Sequence, residues 1–242
     1  MPPSFFMKCM GDRKLTKSGI KVLVGTFLGP FIQGVILFVS AGRINMPRAW
    51  CYLVVSLVGM FGGIMVVGKV NPELLNHRGQ WKKKKGTKPW DKFLMPAFGI
   101  MGFYVLVVII GLDARFQWSY LGIDFAIAGI VLFIIGSISI NWAMMVNTYF
   151  ETTVRIQKDR DQKVVTTGPY KIVRHPGYVG AILWAVSTPL IIGSLVGLVP
   201  AAIAVFVLVI RTWLEDKTLH SELNGYAEYA ESVKYRLLPR VW

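Results

Sequence analysis

The sequence is poor in the residues that build metal centres, disulfide frameworks and charged soluble surfaces. It has three histidines and two cysteines, Cys9 and Cys51, among its 242 residues. So few histidines exclude a His-rich metal site, and the two cysteines have neither zinc-site spacing nor the numbers of a disulfide framework. Only 17% of the residues are charged, with 13 Asp and Glu against 27 Lys and Arg. We therefore expect no metal and no ordinary soluble domain.

Apolar residues dominate the chain. Hydrophobic residues make up 54% of it, and its mean hydropathy is +0.51, which is typical of a polytopic membrane protein. A membrane-spanning helix needs about 20 apolar residues. Candidate spans lie at 20–41, 49–70, 96–112 and 122–146. A transporter would place ionisable residues deep in such spans, and 49–68 and 125–146 contain none.

The last apolar region, from Tyr178 to Ile210, is too long for a single span. It is interrupted by two prolines and two glycines, Pro189, Gly193, Gly197 and Pro200. These residues favour a bend, so the sequence predicts a helical hairpin with arms at 178–193 and 197–212. Such a hairpin makes six crossings in all, or four crossings and a hairpin that does not reach the far side.

Basic residues are distributed unequally between the predicted loops. Lys and Arg number five, eight, six and five on one side of the membrane, and two, one and none on the other. The positive-inside rule then places both termini and the long polar loops in the cytoplasm. Topology and anionic lipid account for the net charge of +14, so we expect no nucleic-acid partner. The lysine-rich stretch GQWKKKKGTKPWDK, residues 79–92, is interpreted as a headgroup anchor, and the basic start of the chain does not resemble a cleavable signal peptide.

These patterns predict an all-α fold, a polytopic transmembrane helical bundle of about five to six membrane segments. Residues 1–112 would form N-terminal transmembrane helices with a basic cytoplasmic loop at 69–95, and residues 113–242 would form a core. The core would consist of a transmembrane helix, a polar loop at 147–176, the hairpin at 177–212 and a C-terminal helix. The hairpin would bring the polar blocks 147–175 and 211–242 to the same face of the membrane. We therefore expect Tyr178 and Arg211 to be neighbours beside a pocket.

The stretch GPYKIVRHPGYVG, residues 168–180, contains a histidine, two tyrosines and two prolines, which a simple membrane anchor does not require. Pro176 suits the first position of a helix, which makes His175 the cap residue. Free N–H groups at a helix start favour an anion, and the rings of Tyr170, His175 and Tyr178 suit a cation or a flat ring. S-adenosylmethionine combines a carboxylate, a sulfonium and an adenine, but composition alone does not single it out. The same residues would also suit an interfacial anchor in which Arg174 reaches the headgroups.

The second polar block begins with Arg211 and Glu215, which lie one helical turn apart on one face. Charges at the membrane edge are costly unless they are used, so the two form either an internal ion pair or a clamp for a substrate. An apolar stripe follows and predicts an amphipathic helix that could lie over the site as a lid. Its members are Leu219, Leu223, Tyr226, Ala230 and Val233.

Three stretches together carry a resemblance to a known family. They are VRIQKDRDQKVVTTGPYKIVRHPGYVGAIL, RTWLED and GYAEYAESVKYRLLP. This combination resembles the isoprenylcysteine carboxyl methyltransferase and phospholipid N-methyltransferase superfamily of integral membrane enzymes. The resemblance is specific over about residues 141–240. The loop NPELLNHRGQWKKKKGTKPWDK resembles prokaryotic members more loosely, which favours a plasma membrane.

The resemblance implies an S-adenosylmethionine-dependent methyltransferase whose cofactor pocket and active site lie at the cytoplasmic face. Carried over by position, the cofactor contacts are Gln157, Gln162, Lys163, Val164, Val165, Tyr170, His175, Pro176, Gly177 and Tyr178. Arg211 and Glu215 would face the methyl acceptor and act in catalysis, with no metal. Enzymes of this type that form methyl esters often carry His where this chain has Gln162. The acceptor would be a lipophilic small molecule or a prenylated substrate, methylated on a carboxylate or alternatively on an amine.

Two further functions remain open from the sequence. Sterol-type membrane reductases that use NADPH resemble this superfamily in their C-terminal half, but an acidic residue commonly follows the glycine after their tyrosine. Here Gly180 is followed by Ala181, which favours the methyltransferase. A non-catalytic membrane scaffold would keep the motif only as helix geometry. Nothing in the pattern indicates an oligomeric state.

Overall fold

The computed structural model describes residues 14–80 and 85–242, and the regular structure within those residues is helical. The helices are α1 (Lys17–Ala41), α2 (Pro47–Val70), α3 (Pro72–Arg78), α4 (Asp91–Phe116), α5 (Ile123–Val146), α6 (Pro176–Ile192), α7 (Leu198–Glu222) and α8 (Tyr226–Ser232). The predicted all-α bundle is confirmed. Cys9 and part of the predicted lysine anchor, Trp81 to Lys84, lie outside the described residues.

Five of these helices, α1, α2, α4, α5 and α7, are long and apolar enough to cross a membrane, and α6 is a shorter apolar helix. The prediction of five to six segments is therefore confirmed. The third span is longer than predicted, because Pro96 lies inside α4 instead of starting it. Asp91 occupies the first turn of α4, where the helix dipole favours a negative charge.

The bend of the C-terminal hairpin lies at Gly193. This residue ends α6 with a φ of 100°, a left-handed conformation that glycine adopts without strain, and its N–H donates to the carbonyl of Pro189 at 2.8 Å. Arg48 donates to the last carbonyls of the helix, those of Leu190 and Ile191, at 2.7 and 2.8 Å. A cation at a helix C-terminus is favourable. The chain then turns back, and α7 begins at Leu198.

The close approach of α6 to α5 fixes the direction of the hairpin. A Cβ added to Gly180 would lie 2.5 Å from the carbonyl oxygen of Gly136, so the two helix backbones touch. Small residues allow this kind of contact between membrane helices. The returning helix α7 then places the guanidinium carbon of Arg211 at 5.1 Å from the ring centre of Tyr178. The two residues are neighbours, as the hairpin predicted.

The C-terminal segment covers the end of the bundle at which these two residues lie. Helix α7 continues to Glu222, well past its predicted end at residue 212. Gly225, with a φ of 81°, then turns the chain into α8. Tyr226 and Tyr229 of α8 are buried against Ala143 and Tyr170. The amphipathic stripe is therefore divided between two helices that pack onto the bundle.

Candidate active site

A cavity of about 250 Å³ lies where the polar loop, the start of α6, the end of α7 and α8 meet. With the exception of Pro176, every residue predicted for the site lines this cavity. They are Gln157, Gln162, Lys163, Val164, Val165, Tyr170, His175, Gly177, Tyr178, Arg211 and Glu215. The hairpin thus brings together residues that lie in two separate polar blocks of the sequence.

Pro176 does not line the cavity, because it has a structural position at the start of α6. It is the first residue of the helix and His175 is the cap residue, as the sequence indicated. Pro176 is buried, and its carbonyl accepts a hydrogen bond from the Ser139 hydroxyl at 2.7 Å. The next residue, Gly177, does reach the cavity, and a Cβ there would meet the Phe150 ring at 2.3 Å.

The carboxylate of Asp216 is the centre of a buried polar cluster behind His175, and its side chain is only 1% exposed. It accepts hydrogen bonds from Arg174 at 2.8 and 3.0 Å, from the Tyr226 hydroxyl at 2.9 Å and from Arg236 at 2.7 Å. The Nε2 atom of His175 lies 3.2 Å from the same carboxylate. One carboxylate therefore connects the start of α6 to α7, α8 and the C-terminal segment.

This cluster excludes the interpretation of Arg174 as an interfacial anchor that reaches the lipid headgroups. Its side chain is 5% exposed and pairs with Asp216, so it does not extend to the headgroups. Burial opposes the charge of Arg174, but the hydrogen bonds and charge of Asp216 outweigh it and raise the pKa of the guanidinium. The ring of His175 is parallel to that of Tyr178, with centroids 5.7 Å apart. The cluster therefore holds His175 in a fixed orientation at the cavity wall.

Arg211 and Glu215 both line the cavity, but each has a partner elsewhere. Arg211 donates from Nε to the Asp91 carboxylate at 2.6 Å and from Nη2 to the Thr152 carbonyl at 2.9 Å. Asp91 is completely buried and also accepts the Val154 N–H at 2.7 Å. Of the two alternatives for Arg211 and Glu215, the internal ion pair between them is thus not formed, because Asp91 takes that place beside Arg211.

Glu215 accepts a hydrogen bond from the hydroxyl of Tyr178. The guanidinium of Arg211 lies over the face of the same tyrosine ring, within the range of a cation–π contact. Tyr178 therefore contacts both predicted catalytic residues, through its face and through its tip. The three side chains form one unit at the cavity wall.

The loop after α5 is held in shape by its own side chains. Gln157 donates to the Tyr149 carbonyl at 2.7 Å, and its backbone N–H donates to the Gln162 side chain at 2.8 Å. Arg155 pairs with Glu151 and Asp159 at 2.9 and 2.6 Å. Burial works against the charge of Arg155, but the two carboxylates raise its pKa above the ordinary value. The two glutamines, which the sequence predicted as cofactor contacts, thus stabilise the conformation of the loop.

Tyrosines form a wall on the C-terminal side of the cavity. The Tyr170 hydroxyl accepts from Asn147 at 2.8 Å, and the Tyr170 carbonyl accepts from the Tyr229 hydroxyl at 2.7 Å. Burial raises the pKa of Tyr170, Tyr226 and Tyr229, so all three stay neutral at physiological pH. Neutral rings with engaged hydroxyls offer flat, partly apolar faces to a ligand.

The cavity has a polar end and an apolar end. The polar end is formed by the loop and the tyrosine wall, and the apolar end lies between α4, α6 and α7. Lining the apolar end are Met95, Phe98, Phe103, Ala181, Trp184 and Leu208. Four of these residues, Phe98, Phe103, Ala181 and Trp184, also line a second cavity of about 20 Å³ deeper in the bundle. The cavity therefore presents a polar surface and an apolar surface side by side.

Several residues of this site were not identified from the sequence. Asp91 and Asp216 were missed, and so was Arg78, which lines the cavity from the end of α3. Asp216 follows Glu215 directly in a helix whose first part, 198–210, is apolar, which is a signal that could have found it. Within the residues that the structure describes, no group of three or more His, Cys, Asp or Glu could hold a metal.

Residues 129–221 match the profile of the isoprenylcysteine carboxyl methyltransferase (ICMT) family. A probable protein-S-isoprenylcysteine O-methyltransferase of Oryza sativa subsp. indica is 29% identical over 113 residues, covering 43% of this chain and 56% of the relative. Protein-S-isoprenylcysteine O-methyltransferase A of Arabidopsis thaliana is 29% identical over 108 residues, covering 43% of this chain and 55% of the relative. Protein-S-isoprenylcysteine O-methyltransferase of Saccharomyces cerevisiae is 30% identical over 113 residues, covering 46% of this chain and 45% of the relative.

The chain spans about half the length of the curated relatives that it matches. The matched segment includes the whole polar loop, α6 and nearly all of α7, together with Arg211, Glu215 and Asp216. Asp91 and Arg78 lie before it. The resemblance to the isoprenylcysteine carboxyl methyltransferase superfamily is thus confirmed for residues 129–221, the part of the chain that builds most of the cavity.

Proposed function

We propose that this protein is an integral membrane S-adenosylmethionine-dependent methyltransferase that acts on a lipid-like or prenylated acceptor. Methylation of a carboxylate oxygen is the reaction that the site suits best, and methylation of an amine is the alternative. The observation that carries the proposal is one cavity that joins a polar end to an apolar end, with Tyr178, Arg211 and Glu215 on its wall. The names of the relatives, isoprenylcysteine O-methyltransferases, support the prenylated acceptor.

The residues at the polar end fit S-adenosylmethionine. Gly177 is the second residue of α6, and its N–H donates to no described residue, so it is available to a carboxylate. The rings of Tyr170 and Tyr226 offer faces to an adenine or a sulfonium. Asn147 and Gln162 supply neutral polar groups on the same wall. These residues would hold the cofactor, together with the loop segment 163–165.

When bound, S-adenosylmethionine supplies a methyl group on a positively charged sulfur, which is left as a neutral thioether after the methyl passes to the acceptor. The protein has to orient the acceptor and exclude water. Helix α8 and the polar loop close the polar end, and the apolar residues between α4 and α7 would hold a lipid chain. A carboxylate acceptor is already ionised at neutral pH and needs no base, whereas an amine would need Glu215 to accept its proton.

The orientation of the site in the membrane is part of the proposal. The polar end of the cavity is lined by the polar loop and the C-terminal segment, which belong to the basic set of loops. The positive-inside rule then places the site and both termini in the cytoplasm, and in a prokaryote the membrane would be the plasma membrane. The cofactor would enter from the cytosol and the acceptor from the bilayer.

Methyl transfer from labelled S-adenosylmethionine tests the proposal directly. The purified chain is incubated with an N-acetylated S-farnesylcysteine and, separately, with a lipid extract, and the label in the organic phase is measured. We expect label in the prenylcysteine methyl ester. Label only in a lipid amine would support the alternative acceptor. No binding of S-adenosylmethionine would reject the enzyme in favour of a scaffold.

A further inference from the structure

Arg78 is a cavity-lining arginine that lies outside the segment matched by the family profile, residues 129–221. It is the last residue of α3, a helix that is fixed at both ends. At its start, the Asn71 side chain donates to the Met144 carbonyl of α5 at 2.9 Å. At its end, Arg78 donates to the Phe150 carbonyl at 2.9 Å, and its guanidinium carbon lies 5.6 Å from the Phe150 ring centre. Arg78 therefore has a fixed position at the cavity.

The carboxylates around the cavity are already engaged with other groups. Asp91 pairs with Arg211, and Asp216 pairs with Arg174 and Arg236. Glu151 pairs with Arg155 at 2.9 Å, and Glu215 accepts the Tyr178 hydroxyl. The closest hydrogen-bonding partner of each of these carboxylates is therefore a residue other than Arg78.

Arg78 itself makes no ion pair with any residue that the structure describes. Its one hydrogen bond goes to a neutral carbonyl. Burial, followed by the charge of Arg211, lowers the pKa of Arg78 to about 10, although the charge of Glu151 opposes this shift, so Arg78 remains charged at neutral pH. A partly buried arginine whose charge is compensated only by a more distant carboxylate is unfavourable unless an anion joins it. Arg211 differs, because Asp91 already compensates its charge.

We infer that Arg78 binds the anionic group of the methyl acceptor and makes the site select acids over their neutral analogues. The inference rests on the proposed methyltransferase function and deepens it. Arg211, held by Asp91 and stacked on Tyr178, then has a positioning role beside the acceptor. Arginine suits this task because its fork of N–H groups matches a carboxylate.

Binding of an acid and of its neutral analogue separates this role from a purely structural one. N-acetyl-S-farnesylcysteine and its carboxamide are titrated calorimetrically into the purified full chain in detergent. The wild type should bind the acid about tenfold or more tightly than the amide, the effect expected of a charge-assisted hydrogen bond. Arg78→Gln should abolish this preference by weakening only the acid. Arg78→Lys should keep part of it, because the charge remains but the fork is lost.

Lys217→Gln is the matched control, since Lys217 is an exposed cation on α7 that contacts the Trp213 ring. This variant should keep the wild-type preference. A structural role for Arg78 would weaken acid and amide equally, and that result would overturn the inference. Equal binding of both compounds by the wild type, or binding of neither, would overturn it as well.

The experiments distinguish a failure of the proposed methyltransferase function from a failure of the role assigned to Arg78. An intact acid preference without transfer of labelled methyl to any acceptor would reject the methyltransferase. Methyl transfer with an unchanged acid preference in Arg78→Gln would reject only the role of Arg78.

Discussion

Asp91 and Arg211 form an ion pair with an Nε–Oδ1 distance of 2.6 Å, although 120 residues separate them in the chain. Asp91 is completely buried and Arg211 is 4% exposed. The pair connects the start of α4 to the face of α7 that lines the cavity. It therefore joins the N-terminal helices to the segment that matches the methyltransferase family.

Replacement of Asp91 by Ala should destabilise the protein by about 3–5 kcal/mol, because it leaves the Arg211 guanidinium buried without its partner. The measurement is unfolding of the purified chain in detergent, followed by circular dichroism. Asp124→Ala is the control, since Asp124 is exposed in the first turn of α5 and should cost about 1 kcal/mol or less. Equal stability of the two variants would show that the buried pair contributes nothing.

His175→Ala should weaken the binding of S-adenosylmethionine by about tenfold, because a ring that packs against Tyr178 is lost from the wall of the proposed cofactor pocket. Titration calorimetry measures the affinity. Arg211→Ala is the comparison variant, and it should mainly raise the KM for the acceptor while the cofactor still binds. Unchanged cofactor affinity in His175→Ala would contradict the assignment of this residue.

Gly180→Ala should destabilise the bundle by about 1–3 kcal/mol, since the new methyl group would press against the backbone of α5. The helices would have to separate, which also shifts Tyr178 at the start of α6. Gly62→Ala is a control within α2, because a Cβ there meets no atom within 4 Å. Thermal unfolding of both variants tests the close approach of α6 to α5. A Gly180→Ala variant as stable as the wild type would disprove it.

Ala181→Trp should fill the apolar end of the cavity and lower the use of a farnesylated acceptor by about tenfold, while the affinity for the cofactor stays close to the wild-type value. Acceptor KM and cofactor affinity are measured on the same preparation. Ala128→Trp, on the exposed face of α5, is the control and should leave both quantities unchanged. Normal acceptor use by Ala181→Trp would place the lipid chain elsewhere.

Much of the fold follows from local sequence patterns. Apolar runs of membrane length predict the spans, and glycine and proline predict the bend that the structure has at Gly193. The RHPGY element predicts a helix that begins at Pro176. The spacing of Arg211 and Glu215 places both on one helix face, and both line the cavity. In each case a few neighbouring residues contain all the necessary information.

The partners of these residues do not follow from local patterns. Asp91 stands in a basic stretch that reads as a headgroup anchor, and only the packing of α4 against α7 makes it the counter-ion of Arg211. The same holds for Asp216, which reaches Arg174 over 42 positions of sequence. In the sequence, Arg78 resembles any other basic residue of a polar loop, and only the position of α3 beside the cavity distinguishes it.

The sequence by itself determined the apolar spans, the hairpin and the start of α6, because hydropathy, turn chemistry and helical period act between near neighbours. The tertiary structure alone decided which charges are compensated and which arginine at the cavity makes no ion pair with the described residues. Electrostatic energy depends on distance and burial, and both of these are set by contacts between helices that are remote in the chain.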